Sequence, residues 1–176
     1  MSAMTTYTGK DFDPINPSAD LLDIMDIAHA LSMICRFNGH TKIFYSVAQH
    51  SIFCALEAIK RGLSKEIIIG CLLHDASEAY LSDIIRPIKK ELDYYLEVED
   101  RLQNLIWNHF IGRPLTSEEI DKIFEIDDLM LSLEFNQLMP ISIDHEYKKL
   151  LNSVECKFKL PMEVEEEFIN LYQKYY

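Results

Sequence analysis

IIIGCLLHDASEAY, residues 67–80, is the stretch on which both the fold and the chemistry of this chain turn. An unbroken apolar run from Ile67 to Leu73 ends in a titratable histidine and a charged aspartate. With a 3.6-residue period it reads as a core helix, with Ser64 as its N-cap. His74 and Glu78 are four residues apart, and Asp75 and Glu78 three, so a continuous helix puts all three on one face. Charge at the end of a core element is costly unless something pairs with it. A divalent cation meets that need, and histidine beside aspartate offers two ligand types from one short piece of backbone.

The flanking sequence is helical as well. A first helix is expected over about 19–36, ended by Asn38-Gly39, and a second over 46–61, closed by Gly62. Pro87 opens a long helix over 88–111 that stops near Gly112 and Pro114. Thr116-Ser117-Glu118-Glu119 resembles a capping segment for a fifth helix running to about 139, before Pro140. Residues 141–161 read as irregular or partly helical, and an acidic helix covers 162–175. Residues 1–17 form an extended lead with Pro14 and Pro17, and strand-like alternation is confined to 42–45. With only 5 glycines and no repeats or linker, the chain is expected to be all-α, a compact helical bundle forming one domain over 1–176.

Composition narrows the function. A hydrophobic content of 48% and 176 residues suffice for one sizeable core. The net charge of −12 disfavours a nucleic-acid partner, which needs a basic surface. It leaves room for a small phosphorylated ligand held by a metal and a few local cations. No apolar run approaches the ~20 residues of a membrane span, and the polar start is not a signal peptide. The cysteines Cys35, Cys54, Cys71 and Cys156 form no CxxC spacing and read as reduced core residues, which places the protein in the cytoplasm.

The remaining ligands are sought on neighbouring helices. His50, in YSVAQHSIFCAL, has apolar neighbours; alone it would read as a core histidine, and His74-Asp75 on the next helix shifts it toward a ligand. On the fifth helix Ile120, Ile123, Phe124, Met130, Leu131 and Leu138 mark an apolar stripe. Asp127 falls on it, and Asp128 about 100° further round. Asp127 is therefore the expected ligand and Asp128 a surface residue, with Glu134 on the same stripe as a supporting group or ion-pair partner. His50, His74, Asp75 and Asp127 offer two nitrogens and two oxygens, which suits Mn, Co, Fe, Zn or Ni better than Mg. His29 reads as structural on a stripe with Met25 and Met33, and His109 and His145 receive no role.

The ordered set Arg36-Phe37, Gln49-His50, HDxxE, Asp83 and Asp127 resembles the HD-domain metal-dependent phosphohydrolase superfamily over about 23–139. The stretches DIAHALSMICRFNGHTKIFYSVAQHS and LLHDASEAYLSDIIRPIK are similar to a small phage and prophage branch of it. That branch is akin to the bacterial 5′-deoxynucleotidases and to the phage enzymes that remove dATP. The resemblance implies an HD-type bundle in which His50, His74, Asp75 and Asp127 hold the metal. It gives Glu78 the proton transfers and places Asp83 near the sugar or leaving oxygen. Arg36 and Phe37 would hold the nucleotide, with phenylalanine standing where the deoxynucleotidases have tryptophan. Lys89 would reach distal phosphates. His40 and Lys42, after the Asn38-Gly39 turn, are further candidate phosphate contacts. By the residues alone, Arg36 could equally be a helix-terminal charge, Phe37 core, Asp83 an N-cap and Lys89 part of a solvated face.

Together these readings predict hydrolysis of deoxynucleotides, dATP, dADP or dAMP, releasing deoxynucleoside and phosphate or polyphosphate. Mg could accompany the substrate phosphates. The alternatives are a cyclic or linear dinucleotide phosphodiesterase and a non-catalytic nucleotide-binding module. Related enzymes imply a homo-oligomer, a dimer or larger ring, in the host cytoplasm if the chain is phage-encoded.

Overall fold

Capping side chains decide where four of the eight described α-helices begin. The computed structural model describes residues 3–142 and 149–176; His145 lies outside them, as does part of the segment expected to be irregular. The described chain is mostly helical. Strands β1 (Met4–Thr5) and β2 (Asp11–Phe12) precede α1 (Ile24–Met33), α2 (Val47–Lys60), α3 (Lys65–Leu72) and α4 (Glu78–Leu81). Then follow α5 (Arg86–Lys89), α6 (Asp93–Ile111), α7 (Ser117–Leu138) and α8 (Pro161–Tyr175). Ser46 and Thr116 form capping boxes with Gln49 and Glu119 at the starts of α2 and α7, and Ser64 caps α3. No described helix is long and apolar enough to cross a membrane.

Several boundaries differ from expectation, each for a local reason. The first helix is shorter, because the Asp23 carboxylate accepts from Met25 N and starts α1 late. Its buried face is Ile27, Ala28 and Leu31, whereas Met25 and Met33 are exposed. The lead is not simply extended. It folds as an antiparallel hairpin with Met4 opposite Phe12, and the buried Asp26 carboxylate pins the hairpin to α1 by accepting from Thr8 N and Oγ1. The strand-like 42–45 segment is irregular and ends in a single bridge between Cys35 and Ser46. The expected 88–111 helix is split. Bonds from Glu91 N to Ile88 O and Leu92 N to Lys89 O tighten the chain to three-residue spacing before α6 starts.

Packing brings α2, α3 and α7 together around the future site. α2 lies on α3, both contact α7, and α8 closes the bundle against α1, α2 and α3. One apolar cluster runs through Ile27, Ala55, Ile69, Leu72, Ile106, Ile126 and Phe168. Gly70 lets α3 approach α7 closely: a Cβ there would overlap the Ile123 side chain. On α7 the buried stripe is Ile123, Ile126, Met130 and Leu133, while Phe124 is 48% exposed and packs edge-on to Trp107.

Glu57 fastens the segment before α8 to α2. Its buried carboxylate accepts from Leu151 N and Asn152 N, both at 2.9 Å, from Asn152 Nδ2 at 3.0 Å and from Arg61 Nε at 2.9 Å. Burial opposes ionisation, yet these backbone amides and Arg61 hold its pKa below the usual carboxylate range. A depressed carboxylate contributes stability that is present above its unfolded pKa and lost as pH falls through the folded value. Glu57→Gln is therefore expected to cost about 1.5–3 kcal/mol at neutral pH. Urea midpoints for the two proteins should converge in acid, below pH of about 4. A gap that stays constant with pH would refute the role.

Candidate metal centre

The HD pair does not continue the helix. α3 stops at Leu72, and residues 73–77 form tight turns before α4. The shared helical face expected for His74, Asp75 and Glu78 is thus replaced by a turn. The His74 ring explains the break: Nδ1 lies 2.7 Å from Cys71 O and takes up the carbonyl that a further helical turn would use. Gln103 of α6 completes the turn's backbone bonding, accepting from Ser77 N at 3.1 Å and donating to Leu73 O at 2.7 Å.

The turn aims His74 at His50 of α2. Their Nε2 atoms are 3.1 Å apart, and Asp127 Oδ1 lies 3.0 Å from that of His50 and 3.7 Å from that of His74. Asp75 Oδ2 is 3.3 Å from His74 Nε2 and 3.9 Å from His50 Nε2. Cys54, one turn along α2 from His50, puts Sγ 3.6 Å from His50 Nε2. His50, Cys54 and His74 form a buried group that could hold a metal ion.

The outer partners settle the tautomers. A carbonyl only accepts, so His74 Nδ1 carries a proton toward Cys71 O. His50 Nδ1 lies 2.9 Å from Glu134 Oε1 and donates to that carboxylate. In their neutral forms both rings therefore turn an unprotonated Nε2 toward the other and toward two carboxylate oxygens. Four acceptors facing one another require a proton or a cation between them. Burial opposes a charge on His74, but Asp75 and Asp127 raise its pKa well above the ordinary value. Burial and Arg36 oppose it on His50, where Glu134 and Asp127 prevail and raise it.

Behind the rings stands a second layer. Glu134 is fully buried; besides His50 it accepts from Tyr45 Oη at 2.8 Å, and its other oxygen lies 3.2 Å from Arg36 Nε. That last contact is an ion pair without hydrogen-bond alignment. Arg36 also reaches Asp75 Oδ2 at 3.3 Å. It lies beyond α1 and is buried, so it is not a helix-terminal surface charge. The chain is turned for this by Phe37 and Asn38, both left-handed with φ of 54° and 50°, a conformation costly for phenylalanine. Phe37 lies edge-on to Phe135, with the Arg36 guanidinium 5.6 Å from its ring centre.

On the other side Glu78 is buried, with Oε2 unpartnered and Oε1 3.8 Å from Lys89 Nζ. Burial and the Asp75 and Asp83 carboxylates push its pKa well above the ordinary value. Asp83 is half-buried, and burial together with Asp75 raises its carboxyl too, against Arg36 and Lys89. It does not cap α5, whose N-cap is Ile85. Lys89 is no solvated lysine: it bonds Glu99 at 2.7 Å and lies 5.8 Å from the Tyr95 ring centre.

Two expected contacts fall elsewhere. Lys42 caps the end of α7, its N on Leu138 O at 2.9 Å and its Nζ on Gln137 O at 3.3 Å, so its ammonium is committed there. His40 is exposed, and its backbone bonds Phe37 O. Asp128 is exposed as expected. His29 is structural, stacked on Tyr7 and 2.9 Å from Glu165 Oε2. A recess of about 510 Å³ lined by Ile15, Pro17, Arg101, Asn104 and Asn108, among others, shares no residue with this centre. Cys54, Tyr45, Gln103 and Arg86 were missed by the sequence reading. Cys54 alone stands at helical spacing from His50, yet a cysteine in an apolar helix reads as core.

No family model matches the chain. It is 38% identical over 140 residues to the uncharacterized protein YfdR of Escherichia coli (strain K12), covering 78% of this chain and 73% of that one. The chain belongs to the YfdR family. The uncharacterized protein RCAP_rcc00048 of Rhodobacter capsulatus is also 38% identical, over 113 residues, or 61% of this chain and 57% of the relative.

Proposed function

We propose that this chain is a metal-dependent phosphohydrolase of the HD type that acts on deoxynucleotides. The observation that carries the reading is the convergence of His50 Nε2, His74 Nε2, Asp75 Oδ2 and Asp127 Oδ1, with both ring tautomers set by outer partners. Two nitrogens and two oxygens suit Mn, Co, Fe, Zn or Ni. Such an ion would lower the pKa of a water and polarise a phosphoryl oxygen. Glu78, whose carboxyl is pushed above the ordinary range by burial and by Asp75 and Asp83, assists the proton transfers. Arg36 stays charged beside Asp75 and offsets negative charge developing on a phosphoryl group. Lys89 supplies a second cation beside Glu78. Deoxyadenosine nucleotides are the favoured substrates, on the resemblance to dATP-removing enzymes alone.

The test is phosphate or polyphosphate release from a deoxynucleotide panel with Mn²⁺ or Co²⁺. Asp75→Ala and Glu78→Ala should each lower turnover by about 100-fold or more. Full activity in either variant would sink the mechanism. A structural metal site is the second reading, favoured by Cys54: a buried sulfur beside His50 adds a soft ligand. It predicts unfolding on chelation and no hydrolysis of any nucleotide.

A further inference from the structure

The two oxygens of Asp127 face opposite ways. Oδ1 points inward, 3.0 Å from His50 Nε2, while Oδ2 points outward, 3.2 Å from Arg86 NH2. Arg86 opens α5 and is itself braced: NH1 and NH2 both lie 3.1 Å from Asp128 Oδ1 on the next residue of α7. One guanidinium thus bridges two adjacent carboxylates, only one of which faces the histidines. The geometry points to Arg86 as a positioning residue: it holds Asp127 to a single inward oxygen and so keeps a coordination position open. The inference rests on the metal reading of the centre and concerns a residue outside the ligand set.

The chemistry follows from the carboxylate. A free aspartate beside a divalent cation can bind through one oxygen or both. Binding through both would fill a position that water or a phosphoryl oxygen needs, and catalytic sites depend on such an open position. A charge-assisted bond to Oδ2 competes for that oxygen and favours one-oxygen binding. Arginine suits the task because its planar fork reaches both carboxylates at once, which a lysine point charge cannot do. Arg86 is 59% exposed, so as a plain surface ion pair it would contribute little and its loss would go unnoticed at the metal. The two accounts therefore differ in what the metal reports.

The experiment uses the full chain loaded with Co²⁺, read by visible absorption and by cobalt titration. Removing Arg86 frees Oδ2, raises the coordination number and weakens the d–d bands. Arg86→Gln should lower their intensity about twofold or more while cobalt is still bound. Arg86→Lys should recover part of the loss, and Asp128→Asn, which removes the brace, should show a smaller fall. A cobalt spectrum of Arg86→Gln identical to that of the unsubstituted protein overturns the inference and leaves the metal reading standing. Failure of the unsubstituted protein to bind cobalt overturns both. Because the readout is the metal's own spectrum, loss of turnover through a damaged fold does not count as support.

Discussion

Glu134→Ala is expected to destabilise the protein by about 3–5 kcal/mol. At this chain length that lowers the melting temperature by roughly 6–20 °C. The Glu134 carboxylate is fully buried, takes hydrogen bonds from His50 Nδ1 and Tyr45 Oη, and pairs electrostatically with the Arg36 guanidinium. Deleting it strands a buried Arg36 with Asp75 as its remaining short ion pair, frees the His50 tautomer and leaves the Tyr45 hydroxyl without its acceptor. The Arg36 term dominates, because a buried charge that loses its most buried partner costs far more than the intact pair contributes. Tyr45→Phe, which loses one hydroxyl bond, should cost only about 1 kcal/mol. The double variant Arg36→Met/Glu134→Leu should cost less than Glu134→Ala alone, since an apolar pair leaves no orphan charge. Urea midpoints of the four proteins check this ordering. A loss below about 1 kcal/mol for Glu134→Ala would show that water reaches Arg36 and that the layer is not dry.

The same helix shows what the sequence could reveal. Asp127 was separable from Asp128 by helical phase, and the structure places one among the histidines and the other in solvent. That worked because α7 is long, regular and capped by Thr116 and Glu119, so phase carries across it. Phase failed at the HD pair. The apolar run before His74 looks the same in a helix that continues and in one that stops. Here a ring–carbonyl bond from His74 to Cys71, together with Gln103 from a distant helix, sets the stop. Neither leaves a local pattern. Cys54 and Arg86 were hidden for related reasons. A cysteine in an apolar helix reads as core, and an arginine before proline reads as surface, until the third dimension sets each beside a ligand atom. The N-terminal hairpin was missed because two-residue strands are too short to alternate.

Adding Mn²⁺ or Co²⁺ to chelated protein is expected to raise its stability and to release protons. At a metal concentration a hundredfold above Kd the gain is about 2.7 kcal/mol, equivalent to a rise of roughly 5–10 °C in melting temperature. The proton release follows from the facing histidines. Without a cation, the two Nε2 atoms and two carboxylates are reconciled by protonation, and both imidazole pKa values are raised. A raised histidine contributes stability that is fully present below its unfolded pKa, about 6.5, and is lost as pH rises through the folded value. Chelated protein should therefore weaken from neutral toward alkaline pH, while metal-loaded protein should not. At neutral pH the ion must displace at least about one proton, measurable with an indicator dye in weak buffer, and the release should shrink as pH rises. Apparent metal affinity should climb over the same range. Metal binding with no proton release at neutral pH would mean that the rings are already neutral, and the facing Nε2 atoms would need another explanation.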